Sequence, residues 1–205
     1  HMKKIVVLLV LTILFSCKED KEARKPLKQV TVEENLTDMG KNLGKYVPFK
    51  LTSDLSVLTD NERKMLPLLI KAADKMNALF WFESFGDREA LMAKIPNEDT
   101  KKFVEINYGP WDRLDGNKPF VEGIGEKPLG ANYYPVDMTK DEFEAFSSDN
   151  KSSLYTFVRR NDDGSLKTIW YHQQFESQVK EVSDLLIEAS KLADNAGLKN
   201  YLELR

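Results

Sequence analysis

A long amphipathic segment limits the folds open to this sequence more than any other feature. Thr59 precedes Glu62 at the spacing of a capping box, in which each side chain bonds to the backbone amide of the other residue. Apolar residues then recur at three- and four-residue spacing, at Leu66, Leu69, Ile70, Ala73, Met76 and Phe80. We therefore predict a helix to about Glu83 that buries this stripe and is kinked or restarted at Pro67.

A hairpin pattern adds a small sheet to a chain that is otherwise mainly helical. Residues 154–160 and 166–171 are rich in β-branched and aromatic side chains, and residues 161–165 between them form a turn sequence. Shorter helical patterns occupy 87–94, 97–106, 139–146 and 179–193. These patterns predict an α+β fold over residues 36–205, mainly helical with a small antiparallel sheet or hairpin.

The first residues have the composition of an export signal. After His1 and Met2, which look like the remnant of a tag, two lysines precede an apolar run that extends to Phe15. This run is shorter than the roughly 20 apolar residues that span a bilayer. Ser16 and Cys17 resemble the end of a lipobox, so we expect 1–16 to be removed and Cys17 to carry a lipid. The alternative is a buried N-terminal helix that ends in a chance cysteine.

Residues 17–35 are expected to link the lipid to the folded domain. Residues 18–28 are almost all charged and lack an apolar period, which is typical of a solvated tether. The run 18–20 resembles the surface-export signal of Bacteroidetes lipoproteins, although a plain charged linker explains it equally well. We therefore expect an exported protein that is anchored to a bacterial membrane, on the outer-membrane surface or the periplasmic face.

Overall composition argues against nucleic acid as a partner. The chain has 30 Lys and Arg against 33 Asp and Glu, a net charge of −3, which gives no field that would attract a polyanion. Hydrophobic residues make up 41% and aromatic residues 10% of the chain, in the range of a packed globular protein.

No complete catalytic or metal site is evident in the sequence. His1 and His172 are the two histidines, there is no HExxH pattern, and the single cysteine is Cys17, so we predict no zinc ligands in this chain. Residues 40–46 are one residue short of a phosphate-binding P-loop. Asp112 and Asp115 form a carboxylate pair that suits acid–base chemistry, but beside Gly116 they are equally typical of a turn.

Residues 107–137 form a long stretch that is rich in Gly, Pro, Asn and aromatic side chains. A loop of this length with little regular structure is uncommon in a compact domain and is usually functional when ordered. Residues 107–123 and 128–135 resemble the bacterial dipeptidyl peptidase III family of zinc peptidases, of the Bacteroidetes type. Residues 79–81 and 85–87 resemble it too. The resemblance extends from about residue 36 to the end of the chain.

This resemblance implies part of a two-lobed enzyme that removes dipeptides from the N-termini of peptides. In that family an HExxGH helix and a later glutamate on the helical lobe hold zinc, and none of these residues is present here. The chain would supply the N-terminal part of the other lobe, the one without zinc. It would contribute to one wall of the peptide cleft and would be inactive without the C-terminal remainder of the enzyme.

Five residues of the long loop are the candidate substrate contacts. We expect Asn107 and Asn117 to bond to a peptide backbone, Tyr108 and Trp111 to cover its apolar side chains, and Asp112 to lie beside them. The alternative is that Tyr108 and Trp111 belong to the core and the asparagines stabilise turns.

Three functional hypotheses follow from these observations. The chain is an enzyme fragment, which the unfinished helical pattern at 198–205 favours; or it is a lipid-anchored module that binds peptides or proteins without catalysis; or it is a purely structural lipoprotein. The presence or absence of an HExxGH motif in the gene downstream of Arg205 would distinguish the first hypothesis from the others.

Overall fold

The computed structural model describes residues 38–205. The expectations for the signal peptide, for lipid attachment at Cys17 and for the charged tether lie outside the described residues. Among residues 38–205, no helix combines the length and the apolar character that a membrane span requires.

Eight α-helices, two short antiparallel strand pairs and one 3-10 turn make up the described region. The helices are α1 (Asp38–Leu43), α2 (Asp60–Ser84), α3 (Arg88–Ala93), α4 (Glu98–Asn107), α5 (Lys140–Ala145), α6 (Tyr171–Gln174), α7 (Glu176–Ser190) and α8 (Ala196–Glu203). The strands are β1 (Trp111–Asp112), β2 (Lys118–Pro119), β3 (Thr156–Arg160) and β4 (Leu166–Trp170), and the 3-10 turn is Ala131–Tyr133. About half of residues 38–205 are helical and the strands form two small antiparallel pairs, so the predicted α+β class is confirmed.

The capping box predicted at the start of α2 is present. Thr59 Oγ1 accepts from the Glu62 amide at 3.1 Å, and the Thr59 amide donates to Glu62 Oε2 at 2.9 Å. These bonds satisfy donors that the first turn of a helix otherwise leaves unpaired. The helix continues through Pro67 as a single element to Ser84, so no second start occurs there.

The buried face of α2 differs from the predicted one. Met65, Ala72 and Leu79 are buried, whereas Ile70 and Phe80 of the predicted stripe are 59% and 49% exposed. Two apolar stripes run along this helix about one residue apart, and helical periodicity is the same for both. Packing against α7 and the hairpin selects the stripe that contains Met65 and Leu79.

The N-terminal half of α2 packs against α7 and α8. Met65, Ala189 and Leu202 form the buried centre of this contact. At its edge, Asp194 accepts from Thr59 Oγ1 at 2.6 Å and from Asn61 Nδ2 at 3.0 Å. These hydrogen bonds lower the pKa of Asp194 and tie the start of α2 to the loop between α7 and α8.

The predicted hairpin is confirmed. Strands β3 and β4 pair antiparallel, with Phe157 opposite Ile169, and the turn closes through a 2.8 Å bond from the Asn161 amide to the Ser165 carbonyl. Gly164 has φ of +84°, a conformation that glycine adopts without the strain of a Cβ atom.

The hairpin joins the C-terminal half of α2 through an aromatic cluster. Leu79, Phe157 and Phe175 are its buried members. Phe82, Tyr133, Tyr171 and Val179 pack around them. Burial, followed by the charge of Glu83 nearby, raises the pKa of Tyr171 to about 12. Tyr171 is therefore neutral at physiological pH and can lie beside a carboxylate without repulsion.

Candidate functional site

The long loop begins where α4 ends in a left-handed residue. Tyr108 has φ of +53°, and the following Gly109 donates from its amide to the Val104 carbonyl at 3.1 Å. This closes the last turn of the helix and reverses the chain toward β1. Strands β1 and β2 then pair, with Trp111 opposite Pro119 and Asp112 opposite Lys118, so that residues 113–117 form the turn at the tip of the loop.

Asn107 links the end of α4 to this tip. Its Nδ2 donates to the Phe103 carbonyl at 2.9 Å, and its Oδ1 accepts from the Arg113 amide at 3.1 Å. The half-buried carboxamide therefore uses both its donor and its acceptor within the protein. This pairing fixes the direction in which the tip leaves the helix.

Tyr108 lies against the side of α2. Its hydroxyl donates to Asn77 Oδ1 at 2.6 Å, and its ring lies 4.8 Å from that of Phe80 and 5.3 Å from that of Trp81. The ring borders a buried cluster whose members include Trp81 and Val104. Tyr108 is half-buried, so part of its ring remains accessible.

Trp111 belongs to the core of the loop. Its side chain is buried, with 8% of the residue exposed, and its indole Nε1 donates to the Gly125 carbonyl at 2.9 Å. Phe85 lies 5.7 Å away between ring centroids. A Cβ atom on Gly109 would approach this indole to 3.3 Å, so a glycine at 109 leaves room for the ring.

Asp112 organises the turn at the tip. Its residue is 5% exposed, its Oδ1 accepts from the Leu114 amide at 2.9 Å, and its carbonyl accepts from the Asn117 amide at 2.8 Å. Lys45 Nζ lies 3.8 Å from Asp112 Oδ2. Asp115 instead faces Lys118 at 3.0 Å, so each carboxylate of the candidate pair has its own cationic neighbour.

Asn117 is the member of the candidate set that is most accessible to a ligand. It is exposed, has φ of +59°, and within residues 38–205 its carboxamide makes no side-chain hydrogen bond. It lines a concave surface of about 540 Å³ together with Gly116, Lys118, Lys127 and Leu129.

A second concave surface adjoins the first one. It has a volume of about 530 Å³ and is lined by residues that include Lys127, Leu129, Tyr134 and Phe143. Leu129 lies between the two surfaces and is 97% exposed. Residues 128–129 lie in the stretch that carries the family resemblance, but sequence patterns assigned no binding role to 126–129. A charged and apolar segment inside a long loop is nevertheless a signal for a binding surface.

Arg160 was also missed by sequence patterns. It makes two bonds to the Glu142 carboxylate, at 2.6 and 3.0 Å, and two to Asp137, at 3.0 and 3.2 Å. The hydrogen bonds from this guanidinium lower the pKa of both carboxyl groups, and the same contacts raise the pKa of Arg160. Arg160 thereby joins the hairpin to the C-terminal end of the long loop and to α5.

This ion cluster predicts an acid-dependent loss of stability. The ordinary pKa values are 3.8 for Asp137 and 4.5 for Glu142, and both are lower in the folded protein. Their stabilising effect is therefore complete above about pH 5 and is lost as the pH falls through the lowered values. We expect Arg160→Gln to flatten the decline of the urea unfolding midpoint below that pH. Arg159→Gln is the control, because Arg159 donates to the carbonyls of Asn132 and Tyr133. An unchanged acid slope in Arg160→Gln would contradict the prediction.

Metal ligands do not converge in the described region. Among residues 38–205, no three His, Cys, Asp or Glu side chains lie close enough together to hold a metal ion. His172 stacks near Trp170, with 6.2 Å between ring centroids. The residues described here therefore do not fit a zinc site.

Comparison with solved structures relates this fold to dipeptidyl peptidase III. No family model matches the chain. The structure is similar to dipeptidyl peptidase III (DPP III) from Caldithrix abyssi, with 33% identity and a TM-score of 0.74, covering 80% of this chain and 33% of that chain. DPP III from Corallococcus sp. strain EGB gives 28% identity and a TM-score of 0.73, covering 82% of this chain and 34% of that one.

A more distant similarity is to Nudix hydrolase 3 from Arabidopsis thaliana, which is 24% identical over 236 residues, covering 85% of this chain and 31% of that protein. The chain thus spans about a third of the length of each of these relatives. Its α+β fold matches part of a DPP III lobe, which supports a peptidase-related region.

Proposed function

We propose that this chain forms the substrate-side part of the zinc-free lobe of an exopeptidase that releases dipeptides from peptide N-termini. The structural similarity to DPP III, at 33% identity and a TM-score of 0.74, carries this proposal. The metal centre and the rest of the peptide cleft come from a C-terminal remainder, and the chain is inactive without it. Residues 17–35 tether the protein through a lipid on Cys17 to the membrane of the bacterium that exports it.

The long loop supplies one wall of the peptide cleft in this proposal. Asn117 and the segment 126–129 form its accessible surface, where an amide, a lysine and an apolar side chain lie together. Asn107, Trp111 and Asp112 hold that surface in shape through their bonds within the loop. Tyr108 contributes the exposed edge of its ring. An extended peptide needs this combination of amide hydrogen bonds and apolar contact.

The activity is tested with a fusion protein in which this chain replaces the third of Caldithrix abyssi DPP III that it matches. Dipeptide release from a short synthetic peptide is measured by mass spectrometry. We expect release by the fusion protein and none by the chain alone. A folded fusion protein that binds the peptide without cleaving it would favour a binding module instead, and one that neither binds nor cleaves would refute the proposal.

Asn117→Gly tests the cleft wall in the fusion protein, because glycine keeps the positive φ and removes the carboxamide. Loss of one or two hydrogen bonds to the substrate should raise the Michaelis constant about tenfold, with a smaller change in turnover. The matched control is Leu114→Ala, since Leu114 lies in the same turn and is 65% exposed. Equal kinetics for Asn117→Gly and the parent fusion protein would remove Asn117 from the site.

A further inference from the structure

Residues 47–52 have the alternation of a β-strand. Apolar side chains occupy Val47, Phe49 and Leu51, with Pro48 and Lys50 between them, and the polar Ser53 interrupts this pattern before Leu55 and Val57. A period of two places Val47, Phe49 and Leu51 on one face of an extended chain.

Among residues 38–205, this segment has no partner strand. Residues 47–55 have no regular secondary structure, and Val47, Phe49 and Leu51 are 83–85% exposed. Within the described range 38–205, the backbone amides and carbonyls of residues 47–54 make no hydrogen bonds to other backbone groups. Three consecutive outward positions of one face are thus apolar and uncovered, and the adjacent backbone is unpaired.

Both ends of the segment are nevertheless fixed to the folded domain. On the N-terminal side, the Tyr46 amide donates to the Leu43 carbonyl at 2.9 Å. On the C-terminal side, Arg63 donates to the carbonyls of Leu55 and Ser56 at 3.3 and 3.2 Å. Anchored ends lower the entropy that is lost when the segment becomes a strand.

We propose that residues 47–52 form an edge strand. Its partner is a β-strand in the two thirds of a DPP III chain that lie outside the part matched by this chain. This inference rests on the proposed function, because it names the partner of the same lobe. The two DPP III structures leave about two thirds of their length unmatched, which is ample chain to supply a strand. Ile70 and Phe80 on α2 are also partly exposed, at 59% and 49%, so this domain has further apolar surface for the same partner.

Pro48 determines which side of the strand is used. Backbone groups of successive residues point to opposite edges of a strand, and proline has no amide hydrogen to donate. The edge formed by Pro48, Lys50 and Thr52 therefore lacks one donor. Pairing takes place through the edge that carries the amides of Phe49 and Leu51.

Amide hydrogen exchange at residue resolution tests this pairing. In the chain alone, the amides of residues 49–52 should all exchange at nearly the unprotected rate. In the fusion protein, those of Phe49 and Leu51 should slow by about 100-fold or more, while those of Lys50 and Thr52 remain fast. Rapid exchange at Phe49 and Leu51 in a fusion protein whose helix α2 is protected would overturn the proposal.

Two matched variants test the apolar face without requiring the fusion protein to be active. Phe49→Asp should lower the melting temperature of the fusion protein, Lys50→Asp should not, and both should leave that of the chain alone unchanged. A lower melting temperature for Phe49→Asp in the chain alone would overturn the proposal, because the segment would then pack on its own domain. A dimer of the chain that Phe49→Asp dissociates would identify a second copy as the partner and would also overturn it.

The exchange result and the activity result are separable. Dipeptide release with rapid exchange at Phe49 and Leu51 would refute the strand and leave the proposed function intact. Protection of these two amides without peptide hydrolysis would support the strand and refute the function.

Discussion

Trp111→Ala is expected to lower the free energy of unfolding by about 3–5 kcal/mol, the range for truncating a large buried aromatic side chain. The indole is nearly excluded from solvent and packs between Phe85 and the backbone of Gly109. Its removal would leave a cavity beneath the loop and would break the hydrogen bond to the Gly125 carbonyl. Urea unfolding of the chain, followed by circular dichroism, measures this loss.

Two controls separate the contributions to this effect. Trp111→Phe keeps a ring in the site and removes the hydrogen bond to Gly125, so it should cost less than the alanine variant. Leu114→Ala changes an exposed residue of the same turn and should stay within about 0.5 kcal/mol of the parent. If Trp111→Ala unfolded at the same urea concentration as Leu114→Ala, the indole would not be part of the core.

The burial of Trp111 also affects how the activity of a Trp111 variant should be interpreted. A variant that loosens the loop would displace Asn117 and residues 126–129 together, because the indole bond to Gly125 closes the loop over 14 positions. Lower turnover in Trp111→Ala would therefore not show that the indole contacts substrate. Asn117→Gly is the more direct probe, since the Asn117 side chain is exposed and lies at the concave surface.

Local signals in the sequence predicted local structure well. The capping box at Thr59 and the hairpin turn at 161–165 depend on residues only a few positions apart, and both are present. Residues 47–52 were not among the elements predicted from sequence, although they carry a short strand alternation, and no partner strand in 38–205 converts it into a sheet. Sequence periodicity therefore indicates what a segment is able to form, while its partners decide whether it does so.

Burial and charge pairing were not predictable from local sequence. Arg160 bonds to residues 18 and 23 positions away, and Asn132 Nδ2 donates to a carbonyl 50 positions away, at Phe82. Helix α2 carries two apolar stripes, and only its contact with α7 and β3 decides which one is buried. For the same reason, the sequence could not show which of the five candidate loop residues hold the loop in shape and which are accessible to a ligand.

Phe157→Ala should destabilise the protein by about 3–5 kcal/mol, because Phe157 is fully buried at the centre of the aromatic cluster. Its ring stacks on Tyr133 at 4.8 Å and meets Phe175 edge-on at 5.6 Å. These neighbours belong to the 3-10 turn and to the junction of α6 and α7, so one side chain joins the hairpin to both. Urea unfolding followed by circular dichroism measures this loss.

Two variants distinguish the packing of this ring from a general effect on β3. Phe157→Leu retains most of the apolar volume and should cost about 1.5 kcal/mol or less, since the loss is then mainly of shape and ring contacts. Tyr155→Ala, just before the strand, removes a side chain that is 70% exposed and should stay close to the parent. Equal destabilisation by Phe157→Ala and Tyr155→Ala would indicate that the buried ring does not hold the hairpin on α2. The order alanine, leucine, parent in rising stability would instead assign that role to the volume and stacking of the Phe157 ring.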